Sequence, residues 1–505
     1  MFLNYLTFSD AAKYADLAKN IITGKGYVTS FSFFTKPFFS GIWYPPVMPF
    51  SMAAFFRIFG VNDFAVIATS FFYFLLTLVF VYLLAKKIFK SDLVGILSTL
   101  AVGFNYDLIN YATRGASESP FIFEIVAATY LVTLKKKWAT LVAGLILILM
   151  YFTRPLAFIY IAGIILYYLL INFKINKAII YFVGISFVGL LVDRFILSPL
   201  SGKYFLYSIL GRGSNVLSQV GIGQSPSDEL RSGTITYTFS ILESLKKIFY
   251  NLYNFYKLLP QIINPYLFIL FIIGLFSKKN WEFKIASLFM VLVTLLVTAA
   301  SIPFFRYIHP IIPMVYILAV GTLVELISNK FPKNKFIILI STSLILLFGV
   351  GQTLGIIFLD SRFEASTHNV GKPPEYVVLS QILKQNISPN QIVITNLDTW
   401  GSWYGDRKTV WYPLEPDQLI DPSTGKISFD AIYLTSYLMD DQNYYMGADW
   451  RMIFNNPKDP SKWTCNGCKE LSKEFKLKGI YTVTASDDYE KQGSNAVLFV
   501  KQQPL

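Results

Sequence analysis

Five charged residues stand at the ends of apolar runs and are the groups best placed for chemistry: Asp10, Glu118, Arg114, Arg154 and Arg306. An arginine at the edge of an apolar bundle costs about 2.5–3.5 kcal/mol on insertion scales unless it snorkels or meets an anion. A lipid phosphate is such an anion, and Glu118 is another. Asp10 falls in the first turn of a helical pattern, where free backbone N–H groups favour its ionised form. Taken alone it reads first as a helix cap. Glu118 fits a ligand for an acceptor or a divalent ion, or a charge that opens a helix. His309 reads as structural. The chain has two histidines, no H-E-x-x-H and no paired Cys–His spacing, so a zinc centre finds no support. The glycines of GRGSNVLSQVGIGQSPSDELRSG, within the loop 199–262, neither follow a strand nor match a phosphate-cradling nucleotide loop.

The elements that must position these groups are apolar. With 54% hydrophobic and 17% aromatic residues in 505, the chain exceeds what soluble globular proteins carry. Runs of spanning length predict ten membrane segments: 63–85, 92–108, 117–134, 138–152, 155–172, 178–198, 263–277, 284–302, 308–328 and 336–358. The net charge of +13 sits in alternate short loops (86–90, 135–137, 174–177, 278–284 and 329–335), which excludes a nucleic-acid surface and marks those loops as cytoplasmic. The turns bearing Arg114 to Glu118, Arg154 and Arg306 to His309, the loop 199–262 and everything after 359 are then expected outside. Residues 1–62 are expected outside too, which predicts a further apolar span ahead of Met1; translocation of the tail as it stands is the alternative.

Three units follow: an outer loop with interfacial helices (1–62), the bundle (63–358) and a soluble α/β domain (359–505). In the first, Ser9 is the expected N-cap of a helix with Ala11, Tyr14, Leu17 and Ile21 on one face and Lys13, Asp16, Lys19 and Asn20 away from it. Gly24-Lys25-Gly26 ends it, and Pro45-Pro46 opens a second helix. Residues 240–259 predict a helix lying on the membrane. In the last unit the runs 391–395, 409–412, 431–435, 479–484 and 496–500 predict strands. CNGC (465–468) is half a zinc site, so a disulfide or inert thiols fit better.

The pattern D-x-x-x-Y-x-x-L-A (Asp10, Tyr14, Leu17, Ala18), then GKGY, WYPPVMPF and FRIFG, resembles the first outer loop of the GT-C membrane glycosyltransferases. It is most similar to the branch of protein O-mannosyltransferase-like and lipid A aminoarabinose transferase-like enzymes. TRGASESP (113–120), FTRP (152–155) and FRYIHP (305–310) with Pro313 resemble later outer turns of that family. The resemblance covers about residues 5–360. Ala11 follows Asp10 where a second acid is frequent, and Trp43-Tyr44 replaces a charged pair, so the substrate is not carried over.

The resemblance implies transfer of a sugar from a polyprenyl-phosphate donor to an acceptor hydroxyl of a glycan, lipid or protein at the outer membrane face, with inversion. It makes Asp10 the base, with Glu118 beside it. Arg306, Arg114 and Arg154 become the phosphate-binding cations, and Tyr14, Trp43, Tyr44 and His309 line the acceptor or donor pocket. A divalent cation is left open. Two other classes fit a polytopic chain: a transporter or flippase of lipid-linked saccharides, and an inactive anchor presenting a binding domain. The notable acids lie in outer loops and no internal repeat is visible, which weighs against a transporter.

Overall fold

The computed structural model describes residues 5–34, 39, 41, 44–172, 241–301, 303–331, 334–359, 373–421, 427–441, 444–484 and 493–502, with scattered positions from 180 to 231. Most of the run 178–198 and of the loop 199–240, and Trp43, lie outside the described residues.

The chain opens with α1 (Ser9–Ile22) and a three-residue strand, β1 (Phe31–Phe33), followed by α2 (Val47–Phe59). Phe8, not Ser9, holds the cap position of α1, and no side chain caps it. The polar side of α1 is not turned to water. Asp16 and Asn20 are buried because the chain folds back on them: Ser30 N–H donates to Asp16 Oδ2 (2.6 Å), and Asn20 donates to Val28 O (2.9 Å). Gly24 and Gly26, both at positive φ, make that reversal.

The apolar bundle follows as α3 (Asp63–Phe89), α4 (Asp92–Gly103), α5 (Tyr106–Ala112), α6 (Glu118–Thr133), α7 (Lys137–Tyr151) and α8 (Ala157–Ile171). Beyond the loop come helices Ile241–Lys257, Pro265–Leu275, Trp281–Ala300, Ile312–Lys330, Asn334–Ile345 and Gly351–Leu359. Four helical stretches among the described residues are long and apolar enough to cross a membrane: 63–89, 281–300, 305–330 and 335–356. The expected span 92–108 is α4 and α5 meeting at a 67° bend, at Asn105, whose side chain caps α5 by accepting from Leu108 N–H. The runs 138–152, 155–172 and 263–277 are shorter helices, of 10–17 residues. α3 packs on α4 and α6, α6 on α7, and α8 on Trp281–Ala300. One core runs through them, with Phe121, Tyr160, Phe271 and Phe283 wholly enclosed.

After residue 373 the chain adds β2 (Ile392–Thr395), β3 (Lys408–Trp411), β4 (Ala431–Thr435), β5 (Phe475–Val483) and β6 (Ser494–Lys501). The sheet order is β1-β3-β2-β4-β6-β5, parallel through β4 and antiparallel across the last two pairs. The edge strand β1 thus comes from the first loop: Phe31 pairs with Thr409 and Phe33 with Trp411. Cys465 and Cys468 are joined in a disulfide. Tyr376 donates to Leu6 O (2.6 Å), while Trp403 and Tyr404 each donate to the Asp63 carboxylate (2.8 Å), so the sheet unit is tied to α1 and to the start of α3.

Helix Ile241–Lys257 exposes Leu242, Leu245, Phe249, Tyr253 and Tyr256 along one face and buries Phe255 and Asn251 on the other; Asn251 donates to Ala299 O (2.7 Å). Arg231, at the far end of the preceding loop, is buried in the sheet unit, where its guanidinium donates to Tyr412 O, Pro413 O and Tyr445 O.

Candidate functional site

The first turn of α1 and the turn 305–307 meet although 296 positions separate their key residues. Arg306 Nη1 donates to Asp10 Oδ2 (2.9 Å), and Lys13 Nζ, one turn along α1, donates to Asp10 Oδ1 (3.1 Å). The Asp10 and Arg306 side chains keep 31% and 28% of their exposure, so this pair is reachable from outside. Burial alone would raise the Asp10 carboxyl; Lys13 and Arg306 outweigh it and hold the group well below the usual carboxylate range. Asp10 caps no helix; it is the anion of a two-cation cluster.

A second pair lies alongside and is closed to water. Glu118, the first residue of α6, is 2.6 Å from Arg154 Nη1, with side-chain exposures of 1% and 8%. Arg154 Nη1 also donates to Ser117 Oγ (3.3 Å). Glu118 Oε2 is buried with no hydrogen bond among the described residues. The two pairs share one ring: the Arg306 guanidinium lies 5.3 Å from the centre of Tyr307 and that of Arg154 5.6 Å from it. Gly115 sets the approach of these elements. It sits at φ +71°, and a Cβ there would fall 2.6 Å from Val66 Cγ1 and 3.0 Å from Ala11 Cβ, so only glycine lets this turn close on the start of α1.

Of the other expected residues, Tyr14 and Tyr44 meet edge to face at 6.1 Å, and Tyr44 O accepts from Tyr27 Oη (2.6 Å). His309 is buried, with Nδ1 2.5 Å from Tyr111 Oη and Nε2 3.9 Å from Asp107 Oδ2, beyond hydrogen-bond reach. Arg114 is brought to the same turn as Gly115 but joins neither pair; its Nε is buried with no hydrogen bond among the described residues. Among the described residues no three His, Cys, Asp or Glu side chains converge as a metal cluster. Asp10 and Glu118 each face a cation, while Glu118 Oε2 has no hydrogen bond among the described residues.

Sequence reasoning placed Lys13 away from the apolar face of α1 and took in Tyr307 only as part of the motif FRYIHP, with no role of its own. It also missed that the first loop joins the sheet unit, with β1 paired to β3 and α1 packed on the helix Asp398–Trp403.

The arrangement sets a partly exposed guanidinium and a partly exposed carboxylate side by side, and a guanidinium with further N–H donors is chemically suited to an anion. Residues 44–195 match the family described as dolichyl-phosphate-mannose-protein mannosyltransferase. An uncharacterized protein from Aquifex aeolicus is 32% identical over 211 residues; that match takes in 39% of this chain and 38% of the relative, so the chain spans well under half of that relative's length. Among solved structures, ArnT from Cupriavidus metallidurans aligns over 98% of this chain and 94% of its own (TM-score 0.55, 11% identity). The same protein with undecaprenyl phosphate bound gives a TM-score of 0.53. The oligosaccharyltransferase of Archaeoglobus fulgidus aligns over 95% of this chain and 69% of its own (TM-score 0.57, 14% identity).

Proposed function

We propose that this chain, which has the fold of the GT-C membrane glycosyltransferases, moves a sugar from a polyprenyl-phosphate donor to an acceptor hydroxyl at the outer face of the membrane. The observation that carries the reading is the Arg306–Asp10–Lys13 cluster: a partly exposed cation paired with a partly exposed carboxylate, beside an apolar bundle.

The reaction asks for three things. Negative charge develops on the departing phosphate, and Arg306, with a planar fork of five donors of which one Nη faces Asp10, offsets it. Arg154, buried against Glu118, supports the same field through Tyr307 rather than by direct contact. Asp10 orients the acceptor hydroxyl and takes its proton. A carboxylate held this acidic is a weak base, which suits a displacement whose transition state is oxocarbenium-like and whose proton moves late. The apolar surface of the bundle carries the isoprenoid. One displacement at the anomeric carbon inverts its configuration.

One feature favours a lipid-linked donor over a nucleotide sugar: under the positive-inside rule the alternating lysine-rich loops are cytoplasmic, which argues for a site facing away from cytosolic nucleotide pools. The test is sugar transfer from a lipid-phosphate donor by wild type and Asp10→Asn, with a nucleotide sugar as the alternative donor. Transfer from the lipid donor that Asp10→Asn reduces about 10²-fold or more supports the reading. Efficient use of the nucleotide sugar overturns it.

A further inference from the structure

We infer that Glu124 is a positioning residue for the site: as a neutral carboxylic acid it donates to Thr153 and so fixes the turn that presents Arg154 to Tyr307. The inference rests on the phosphate-binding reading of Arg306 and adds to it a group outside the two ion pairs.

An acid inside an apolar helix is costly and asks for a role. Glu124 stands in the apolar run of α6, six residues past Glu118, and is buried there. Its partner lies in the turn between α7 and α8, where Thr153 precedes Arg154. The two carboxyls of α6 thus hold consecutive residues of one turn: Glu118 lies 2.6 Å from Arg154 Nη1, and Glu124 Oε1 lies 2.7 Å from Thr153 Oγ1. The residue before them is tied as well, since Val47 N–H at the start of α2 donates to Phe152 O (3.4 Å).

Counting protons gives the state of Glu124. Thr153 Oγ1 is also 2.8 Å from Leu149 O. A threonine hydroxyl carries one proton, and a backbone carbonyl only accepts. Both contacts are made in full when Thr153 donates to Leu149 O and the Glu124 O–H donates to Thr153 Oγ1. An ionised carboxylate would leave one proton divided between two acceptors. It would also lack a counter-charge: Arg154 is taken by Glu118, and among the described residues no Lys, Arg or His lies within ion-pair distance of Glu124. Tyr73 on α3, the described titratable side chain that interacts with it, is neutral at ordinary pH.

The effect reaches the site through one residue. Arg154 must meet Glu118 and Ser117 and lie 5.6 Å over Tyr307, the ring that Arg306 covers at 5.3 Å from its other pair. A side chain with that many fixed contacts holds them only if its backbone is held. Freeing Thr153 moves Arg154, and with it the ring on which Arg306 rests.

Full-length protein in detergent tests this with infrared spectra and with binding of a short isoprenyl phosphate. The difference spectrum of wild type against Glu124→Gln should show the C=O stretch of a protonated carboxylic acid, lost in the variant; a carboxylate band in its place overturns the neutral acid. Glu124→Leu, which cannot donate, should bind the phosphate about fivefold more weakly, while Glu124→Gln, whose amide N–H replaces the O–H, should stay within about twofold of wild type. With Glu118→Gln and Arg154→Met already present, Glu124→Leu should cost nothing further, an exemption that a general loss of stability would not grant. Thr153→Val carries the same expectations and decides if Glu124→Leu does not fold. Unchanged binding, or an equal loss with and without Arg154, overturns the proposal. If wild type binds the phosphate no better than the isoprenyl alcohol, the reading of Arg306 fails by itself, and amide exchange across residues 152–157 decides. Exchange should then be faster in Glu124→Leu and Thr153→Val than in wild type and Glu124→Gln; equal rates in all four overturn the positioning.

Discussion

Replacing Asp10 by Asn should tighten the grip on phosphate while it disables transfer. As described, Arg306 spends one Nη on Asp10 at 2.9 Å. A donor phosphate must therefore share or take that guanidinium. Both side chains are about a third exposed, so the pair belongs with solvent-accessible ion pairs worth about 0.2–1 kcal/mol, discounted from anything the burial alone would suggest. Releasing about 1 kcal/mol corresponds to about fivefold tighter phosphate binding at 25 °C. Removing the carboxylate's repulsion of the phosphate acts in the same direction. Titration of a short isoprenyl phosphate into detergent-solubilised protein reads this, with the matching isoprenyl alcohol as the control for the apolar contribution. Asp10→Asn should bind the phosphate about five times more tightly and the alcohol unchanged. Arg306→Ala should lose about tenfold or more, since a hydrogen bond to a charged group contributes about 1.5–3 kcal/mol. Asp10→Asn should gain less in the Arg306→Ala background than in wild type, because only the loss of repulsion and the release of Lys13 remain there. Unchanged or weaker phosphate binding in Asp10→Asn would refute the shared arginine.

Glu118→Gln leaves Arg154 buried without its anion and should lower stability by about 3–5 kcal/mol, whereas Glu118→Gln with Arg154→Met should recover most of the thermal midpoint; equal midpoints for the two would contradict the pairing. Asp16, buried in α1, is raised by burial from 3.8 to about 6. Its native state prefers the protonated form, so it leaves stability untouched below about pH 4 and lowers it by about 3 kcal/mol in all as pH rises through about 6. Asp16→Asn, which keeps an acceptor for Ser30 N–H, should raise the thermal midpoint at pH 7.5 and leave it unchanged at pH 4; a gain equal at both pH values would exclude titration of Asp16 as the cause. Gly115→Ala meets positive φ and the Val66 and Ala11 side chains, and should cost about 1–3 kcal/mol and weaken isoprenyl-phosphate binding by moving α1 off its turn. A fully stable variant with normal binding would show that this approach is not needed.

The bundle was legible because its signals are local: apolar runs of spanning length and lysine loops need no partner to be read. Five runs of the last unit lie on strands for the same reason, since β-branched and aromatic residues cluster there between turns. Asp10 and Arg306 were visible as charges that apolar surroundings make costly, and motif order tied them together. Their contact was not visible, because 296 positions separate the two residues. β1 was missed for a physical reason. Three residues, FSF, in an aromatic loop carry no strand periodicity of their own, and only the parallel pairing with β3 makes them a strand. Without β1, nothing in the sequence ties the first loop to the sheet unit that follows residue 373. The bend between α4 and α5 was carried by Asn105, a helix-capping residue inside an apolar run.

The central claim is that Asp10 works on a lipid-phosphate-linked sugar. The most direct measurement puts purified wild type and Asp10→Asn into liposomes with a radiolabelled polyprenyl-phosphate sugar and an acceptor extract from the source membrane, and follows label leaving the lipid. Wild type should transfer label with inversion at the anomeric carbon, and Asp10→Asn should fall about 10²-fold or more while still binding the isoprenyl phosphate. Wild-type-like turnover by Asp10→Asn, or label that leaves only when a nucleotide sugar is supplied, would contradict it.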